Sequence, residues 1–533
     1  MRTATTTTAL PAPAQSPLSG AGSADRIPPR HLFAFIAMCF GMFMAFLDIQ
    51  IVSASLAEIQ AGLSASADEI PWVQTSYLVA EVIAIPLSGF LSRALGTRTL
   101  FTLSAAGFTF ASIMCGMTSS INGMIVWRAL QGFIGGGMVP TVFAAAYMIF
   151  SGPRQKLVAP VVGLIATLAP TIGPTIGGYV TDLGSWHWLF FVNIAPGIVV
   201  TAASFALIDF DKPDYSLLEN FDWWGLLSMA GFLGALEYVL EEGPRNDWFD
   251  DTSISVFALV SAASAIVFFA RVLAAKAPIV DLRAFLNRNF AVGSAFSFVL
   301  GIGLYGLTYL YPVYLAQIRG YDALMIGQTM FVSGLAMFAT APIAGQLSQK
   351  LDPRYVLIAG FVLFALGTWQ MTYVTKDWDF WELLWPQVFR GVGLMFAIVP
   401  VTNTALGTLS PERMKNASGL FNLMRNLGGA IGLATINTVL NDRMDLHLAR
   451  LHEQVSWARG AATETLTHLT ANFQGSDAQA MALKQMMMLV RRQATVMSFA
   501  DVFLMLTVLF VALAATGLLM RKPAPVAAGA GGH

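Results

Sequence analysis

The sequence contains little charge for its length. Lysine, arginine, aspartate and glutamate make up 11% of its 533 residues, and 56% of the residues are hydrophobic. An average soluble protein has roughly 25% charged residues, and a soluble chain of this length would form about three or four domains. Apolar runs long enough to span a bilayer, about 20 residues each, recur along almost the whole chain. The composition therefore excludes a soluble class and predicts an all-α polytopic membrane protein.

Cysteine and the common catalytic motifs are also scarce. Cys39 and Cys115 both fall within apolar runs, so no disulfide framework is expected. The histidines lack metal-ligand spacing, and neither a phosphate-binding glycine-rich loop with lysine nor a G-x-S-x-G turn occurs. The net charge of −1, without a basic cluster, gives no sign of nucleic-acid binding. These absences argue against an ATP-driven pump, a hydrolase, a metal site and a bound cofactor.

The apolar runs divide the chain. Residues 1–31 are rich in threonine, alanine, proline and serine, which predicts a disordered tail. The runs that follow predict about fourteen spans. These spans are 32–56, 71–91, 100–118, 122–149, 158–181, 187–208, 223–241, 253–273, 290–316, 322–347, 355–375, 383–407, 416–440 and 497–520.

Lysine and arginine are unevenly divided between the two sets of loops. They are concentrated in the tails and in the loops on the N-terminal side, whereas the short loops opposite hold Arg245, Arg319 and Lys376. Because positively charged loops stay in the cytoplasm, both termini are expected there. The bias also supports an even number of spans.

One loop on the opposite side, 441–496, is long. Its apolar residues recur with helical spacing on one face, which predicts a helical hairpin outside the membrane. Met486, Met487 and Met488 give it an adaptable apolar surface of the kind that binds partners. The alternative is a capping loop without a partner.

Proline and glycine are concentrated in the fifth predicted span. Prolines break a soluble helix, but a span in hydrocarbon stays helical and bends, because unpaired backbone groups there are costly. The glycines leave a smooth strip for a neighbouring helix, which suits two halves that rock against each other. An ordinary packed span would explain the glycines without the prolines. The residues concerned are Pro160, Pro170, Pro174, Gly163, Gly173, Gly177 and Gly178.

Ionisable side chains occur inside several spans, where their cost marks functional positions. We assign proton coupling to Asp48, Glu81 and Arg128. Burial raises the pKa of a carboxylate, and a nearby guanidinium lowers that pKa again. A carboxylate–guanidinium pair whose separation changes between two conformations can therefore take up a proton on one side of the membrane and release it on the other. For Arg390 and Arg425 two interpretations are equally favoured: a functional role, or a structural one in which the side chain holds helix ends in place. Glu237 is interpreted as a helix-packing or linker residue.

Four segments resemble motifs of the major facilitator superfamily. LDIQIV at 47–52 resembles its first-span motif, and WRALQG at 127–132 its fourth-span motif, whose arginine is implicated in proton transfer. Residues 169–178 follow the antiporter signature, and SWHWLFFVNIAPG at 185–197 resembles the start of the sixth span. Over nearly all of 32–520 the chain is similar to the fourteen-span drug:proton antiporters of the EmrB/QacA group.

The resemblance implies a major facilitator fold with two six-helix bundles and two inserted linker helices. The bundles are expected at 32–208 and 290–520, the second including the hairpin. An acidic connector and the inserted pair occupy 209–289, and 521–533 forms a cytoplasmic tail.

The loop motif after the second span departs from the family pattern. Arg93 stands where the superfamily usually has aspartate, and the corresponding run beginning at Gly345 also lacks it, which puts the family's cytoplasmic charge lock in doubt. Gly89 and Gly345 occupy matching places in the two halves, as internal repeats predict. We assign gating to Gly89, Gly173, Pro174, Gly177 and Gly178.

The resemblance implies export of amphipathic or lipophilic drugs by alternating access across a bacterial inner membrane. The proton gradient would drive it, and a membrane-fusion adaptor and an outer-membrane channel would be its partners. One alternative is a proton-coupled exporter or symporter of one specific metabolite or siderophore; another is a membrane sensor or scaffold. Candidate substrate contacts are Gln131, Tyr305, Tyr309, Tyr311, Asn403, Asn422 and Arg425.

Overall fold

The structure is a computed structural model. It describes residues 28–66, 68–150, 154–155, 158–219, 221–275, 278–409, 411–456, 458–473 and 477–519. Most of the predicted N-terminal tail and all of 521–533 lie outside these ranges. Within them the chain is helical and contains no strand. The first helix begins at Pro29, so the last residues of the predicted tail already belong to it.

The described residues form helices of very different lengths. In chain order they are α1 Pro29–Ala54, α2 Leu56–Leu63, α3 Trp72–Met117, α4 Ile121–Gly135, α5 Met138–Ile149, α6 Val158–Leu183, α7 Trp188–Phe191, α8 Ile194–Leu207, α9 Ser216–Glu219, α10 Trp223–Glu242, α11 Thr252–Ala274, α12 Arg288–Tyr314, α13 Ala323–Lys350, α14 Pro353–Gln370, α15 Phe380–Leu406, α16 Pro411–Gln454, α17 Gly460–Ala471 and α18 Ala478–Thr516.

The number of spans agrees with a multi-pass membrane protein. Eleven segments of the described chain are long and apolar enough to cross a membrane. One of them, α3, covers both the second and the third predicted span. The two spans are separated by a break in the helix at Gly96, whose backbone φ of 78° is a conformation that favours glycine. The helices α6 and α16 coincide with two further predicted spans. The architecture is consistent with about fourteen spans.

The helices pack as two groups with a pair added between them. The first group comprises α1, α3 to α6 and α8, and the second comprises α12 to α16 and α18. The groups meet along two seams, where α6 packs on α13 and α3 packs on α16. The inserted pair, α10 and α11, packs together, and α10 contacts both α3 and α16.

The glycines of α6 face both groups: Gly173 and Gly177 lie against α1, and Gly163 lies against Ile398 of α15. A Cβ on Gly173 would lie 2.4 Å from the Gln50 Cβ of α1, which shows how closely the two helices approach. At the seam with α13 the close approach comes from the partner helix, because a Cβ on Gly327 would lie 1.4 Å from Thr175 Oγ1. The small residue at this point of the seam is therefore on α13, and the predicted smooth strip of α6 faces α1 at Gly173.

The long loop 441–496 is largely helical where the structure describes it. The helices α16 and α18 each continue from a span into this region, and α17 lies between them in sequence. The expected methionine surface needs one correction: Met486 is buried with Leu466 and Ala482, while Met487 and Met488 are exposed. Helical spacing rotates Met486 onto the inner face, since successive residues point in different directions.

Candidate functional site

An ion pair lies in the interior of the first helix group. Arg128 Nη1 on α4 donates to Asp48 Oδ2 on α1 over 2.6 Å, and both side chains are fully buried. Removing two charges from water is costly, and their attraction compensates only when geometry and further hydrogen bonds are good. Charge-assisted bonds of this length are among the strongest in proteins. Both residues are candidates on sequence grounds, and the structure brings them into direct contact.

Two amides complete the shell around Asp48. Asp48 Oδ1 accepts from Asn193 Nδ2 over 2.7 Å and from Gln131 Nε2 over 3.2 Å. Gln131 Oε1 accepts in turn from Arg128 Nη1 over 2.7 Å, and Asn193 also donates to Ser112 Oγ over 3.1 Å. Gln131, predicted as a substrate contact, is fully buried and bonded to the pair. Sequence reasoning missed Asn193 and Ser112, although Asn193 lies in the sixth-span motif.

The guanidinium of Arg128 is held on its other sides by α3. Its Nε donates to the Val73 carbonyl over 3.2 Å, and its charge lies 4.3 Å from the centre of the Tyr77 ring. Close contact of α4 with α3 permits this, because a Cβ on Gly132 would lie 2.3 Å from the Tyr77 carbonyl. Nη2 is buried and bonds to no other residue of the described chain. Arg128 therefore has spare donor capacity.

Glu81 lies apart from the pair. It is 5% exposed on α3 and has no hydrogen bond or ion pair to the residues that the structure describes. Arg128 of the first group and Arg425 of the second both lie within electrostatic reach of it. Glu81 is thus a buried carboxylate on which one arginine from each group acts, and a bare charge there is costly.

The second group also buries two arginines. Arg425 donates to Asn422 Oδ1 over 2.6 Å and lies 5.6 Å from the Phe143 ring of the first group. Arg390 donates to Thr308 Oγ1 over 3.3 Å. Neither forms a salt bridge with a carboxylate of the described residues. These side chains hold buried positive charge by hydrogen bonds and aromatic rings.

The remaining candidate contacts occupy different places. Tyr305 donates to Asn426 Oδ1 over 3.1 Å on α16, and Tyr309 is partly buried on the same helix, α12. Tyr311 is fully buried, with the Arg390 charge 5.3 Å from its ring.

Asn403 lies at an interface between the two groups. Its Oδ1 accepts from Tyr147 on α5 over 3.2 Å. The same hydroxyl is also within hydrogen-bond distance, 3.2 Å, of the Thr402 carbonyl. Asn403 thus joins α15 to α5, a contact that no sequence motif indicated.

The two groups are also joined beside the connector. Lys415 Nζ on α16 donates to Asp211 Oδ2 over 2.5 Å and to the Ser92 carbonyl over 2.9 Å. The same Asp211 oxygen accepts from Thr97 N over 2.9 Å and Oγ1 over 2.7 Å. A Cβ on Gly89 would lie 2.9 Å from the Lys415 carbonyl, so the helices meet tightly here. We name these contacts the connector latch; its acidic residue comes from the connector instead of the loop motif.

The close contact at Gly89 has a counterpart at Gly345 in the other half of the chain. Gly89 of α3 faces the start of α16, and Gly345 of α13 faces Pro160 at the start of α6, where a Cβ would lie 2.9 Å from Pro160 Cγ. Each loop-motif glycine thus lies against the corresponding helix of the other group. This pattern is typical of a transporter made of internal repeats.

The family follows from the sequence as a whole. A family model described as Major Facilitator Superfamily matches residues 38–433, most of the chain. The chain belongs to the Major Facilitator Superfamily. The sequence-based prediction of a transporter of this fold, not an enzyme, is confirmed.

Relatives match over nearly the full length. The chain is 41% identical to the colistin resistance protein EmrB of Acinetobacter baumannii, over 91% of this chain and 95% of that protein. It is 28% identical to the multidrug export protein EmrB of Escherichia coli, over 97% and 99%. The predicted resemblance to EmrB-type members is confirmed. The solved structure of the human organic anion transporter MFSD10 (TETRAN) has a TM-score of 0.56 at 14% identity, covering 91% of this chain and 100% of that one, and supports the fold.

Proposed function

We propose that the chain is a proton-driven exporter of amphipathic and lipophilic drugs that works by alternating access. The observation that carries the proposal is the fully buried ion pair of Asp48 and Arg128. A pair of this kind in a membrane protein is costly and is expected where protons or ions pass. It is also reversible, because protonation of the carboxylate removes the negative charge that attracts the guanidinium.

The proton steps follow from the contacts. Protonated Asp48 loses its ionic attraction to Arg128, whose Nη2 can then find another acceptor. Glu81 is the nearby carboxylate within electrostatic reach of Arg128, so the guanidinium can turn towards it. We therefore propose that Asp48 binds the proton and that the Arg128 guanidinium then turns away from it. Glu81 is the carboxylate towards which the guanidinium turns. Each proton that crosses supplies about 2.3 kcal/mol per 100 mV of membrane potential.

The substrate class is supported by the names of two relatives, one a colistin resistance protein and one a multidrug export protein. Such compounds need an apolar surface with a few polar anchors. Tyr305, Tyr309, Asn422 and Arg425 supply these on α12 and α16 and are our substrate contacts. Gln131 supports the ion pair, and Asn403 joins the two groups.

Alternating access requires contacts that break on one side at a time. The connector latch closes the two groups at the start of α16, and the seam of α6 with α13 runs between them. Rocking about this seam would open the latch. We propose that Gly89, Gly173, Pro174, Gly177 and Gly178 permit the accompanying changes in helix packing.

We further propose that the chain lies in a bacterial inner membrane with both termini cytoplasmic. The exposed Met487 and Met488 would then bind a membrane-fusion adaptor that leads to an outer-membrane channel. The pair of variants Met487→Asp and Met488→Asp should abolish adaptor pull-down. The matched control is Phe249→Asp, because Phe249 is also an exposed apolar residue and follows α10. Equal adaptor recovery from all variants would contradict the partnership.

Proton antiport is tested in acid-loaded inverted vesicles that contain the full chain. Addition of each of a panel of lipophilic cations should make the lumen more alkaline as protons leave. Asp48→Asn should abolish the response, whereas Asp68→Asn, the same change at an exposed position, should keep it. A folded wild type that responds to none of these compounds would favour the exporter or symporter of one metabolite. A response that persists in Asp48→Asn would remove the proton site from α1.

A further inference from the structure

The inserted helix α10 lies against the first helix group. Trp72 at the start of α3 stacks on Tyr238 with ring centres 5.3 Å apart. A Cβ on Gly234, one turn earlier in α10, would lie 3.1 Å from Ile83 Cδ1. The two helices therefore run antiparallel and in close contact around the position of Glu81.

The other side of α10 reaches the second helix group. Trp248 Nε1, just after α10, donates to Thr438 Oγ1 on α16 over 2.9 Å. Asn441 Nδ2 on α16 donates to the Pro244 carbonyl over 3.1 Å. The helix thus covers the seam between α3 and α16, whereas its partner α11 is mostly exposed on the outside. One side of α10 therefore packs on α11, and its other sides face α3 and α16.

The helix α10 buries two carboxylates, Glu242, which accepts from Thr75, and Glu237. Glu237 is 6% exposed, and its Oε2 is fully enclosed without a hydrogen-bond donor among the described residues. Glu81 on α3 is 5% exposed, and its charge acts on Glu237. Ionisable side chains buried in a membrane protein without a protein partner are costly and mark functional positions, so helix packing alone does not explain these two.

The neighbours of these carboxylates describe the missing partner. Tyr305 lies within electrostatic reach of both, and its ring packs against Gly429, where a Cβ would lie 2.4 Å from the ring. Aromatic faces attract organic cations. Arg425 is also in reach of Glu81 and donates to Asn422, but a single guanidinium cannot serve as the partner of both carboxyl groups.

We propose that Glu81 and Glu237 together bind the positively charged group of an amphipathic cation, with the apolar part of the cation against Tyr305. This assignment rests on the proposed export function and adds the inserted helix to the substrate site. The first group contributes one carboxylate, the inserted pair contributes the other, and the second group contributes the ring. A cation bound there contacts all three parts of the molecule.

The test is equilibrium binding to the full chain in lipid nanodiscs. Tetraphenylphosphonium and tetraphenylborate serve as probes because they have nearly the same shape and opposite charge. Glu81→Gln and Glu237→Gln should each weaken phosphonium binding about tenfold or more, since each removes one charge and keeps the side-chain shape. Glu242→Gln is the matched control on α10, because Glu242 accepts from Thr75 over 3.0 Å and an amide oxygen accepts equally well. Thermal unfolding verifies that the variants are folded.

The outcomes separate this site from the export function. Unchanged phosphonium affinity in folded Glu237→Gln overturns the site, as does a wild type that binds no phosphonium. Equal weakening for phosphonium and borate identifies packing and also overturns it. Unchanged binding with proton antiport lost identifies Glu237 as a proton carrier instead. Charge-selective binding in a protein that moves no protons would leave the site standing while the export proposal fails.

Discussion

The two helix groups bury arginines in different ways. Arg128 of α4 lies 4.3 Å from the Tyr77 ring, and Arg390 of α15 lies 5.3 Å from the Tyr311 ring. Arg128 is bonded to Asp48, whereas Nε and Nη1 of Arg390 are buried with no partner in the described part of the chain. The repeats thus share the guanidinium and its aromatic neighbour and differ in the carboxylate.

The difference separates two tasks. Of the two side chains in the pair, only the carboxylate can gain and lose a proton, because arginine stays protonated in proteins. The first group can therefore exchange a proton at its ion pair, and the second group offers constant positive charge. We infer that proton chemistry belongs to the first group and that the second supplies fixed contacts.

The largest effect is expected from breaking the pair. Asp48→Ala leaves Arg128 buried without its anion, which should lower the free energy of unfolding by about 3–5 kcal/mol. Denaturant unfolding of the purified chain in detergent measures it, with Asp68→Ala as the exposed control. A loss of the same size in the control would contradict the stabilising role of the pair.

A double variant sharpens the comparison. Asp48→Asn with Arg128→Gln removes both charges, so its loss of stability should be smaller than the sum of the single losses. The difference should be about 1–3 kcal/mol, the range for residues in contact. Proton antiport should remain absent in the double variant, although the fold recovers. Additive losses would show that the two side chains act independently.

Removal of the counterpart arginine should cost little. Arg390→Met keeps the length of the side chain and leaves no carboxylate behind, so stability should change by about 1 kcal/mol or less, or increase. The same unfolding experiment measures it beside Arg128→Met, which strands Asp48 and should be several-fold more costly. An equal loss of stability in both variants would show that the two groups do not differ in how they hold their buried arginines.

The last prediction concerns how often the two groups separate at the connector latch. Lys415→Met removes the bonds to Asp211 and Ser92, and should open this side more often. A cysteine introduced by Ser92→Cys should then react faster with a water-soluble thiol reagent; the native Cys39 and Cys115 are buried and give little background. Lys350→Met, exposed at the end of α13, is the control from the other repeat. Unchanged reactivity would show that the latch does not hold the groups together.

The fold was largely predictable because apolar runs and loop charge report on the bilayer directly. The pairing of Asp48 with Arg128 was also accessible, since charges in apolar spans are conspicuous. Asn193 and Ser112 were not, because uncharged polar residues are common in spans. Glu237 was interpreted as a packing residue, and only the structure shows that its carboxylate has no partner among the described side chains.

Which face of a helix meets which neighbour was beyond the sequence. The glycines of α6 predicted a smooth strip, and Gly173 packs on α1 while Gly327 of α13 makes the contact across the seam. Helical spacing gives the relative directions of side chains on one helix, but not its rotation within the bundle. Asn403 illustrates the same limit, because its contact with Tyr147 depends on how α15 and α5 are rotated.

The length of α16 has a mechanical consequence. Its 44 residues extend about 66 Å, with Lys415 near one end, Arg425 within the bundle and the loop helices at the other end. A rod of this length acts as a lever: a tilt of about 10° around Arg425 would displace its far end, about 44 Å away, by about 8 Å. The latch opening proposed above would thereby be amplified into a movement of the outer loop on the other side of the membrane.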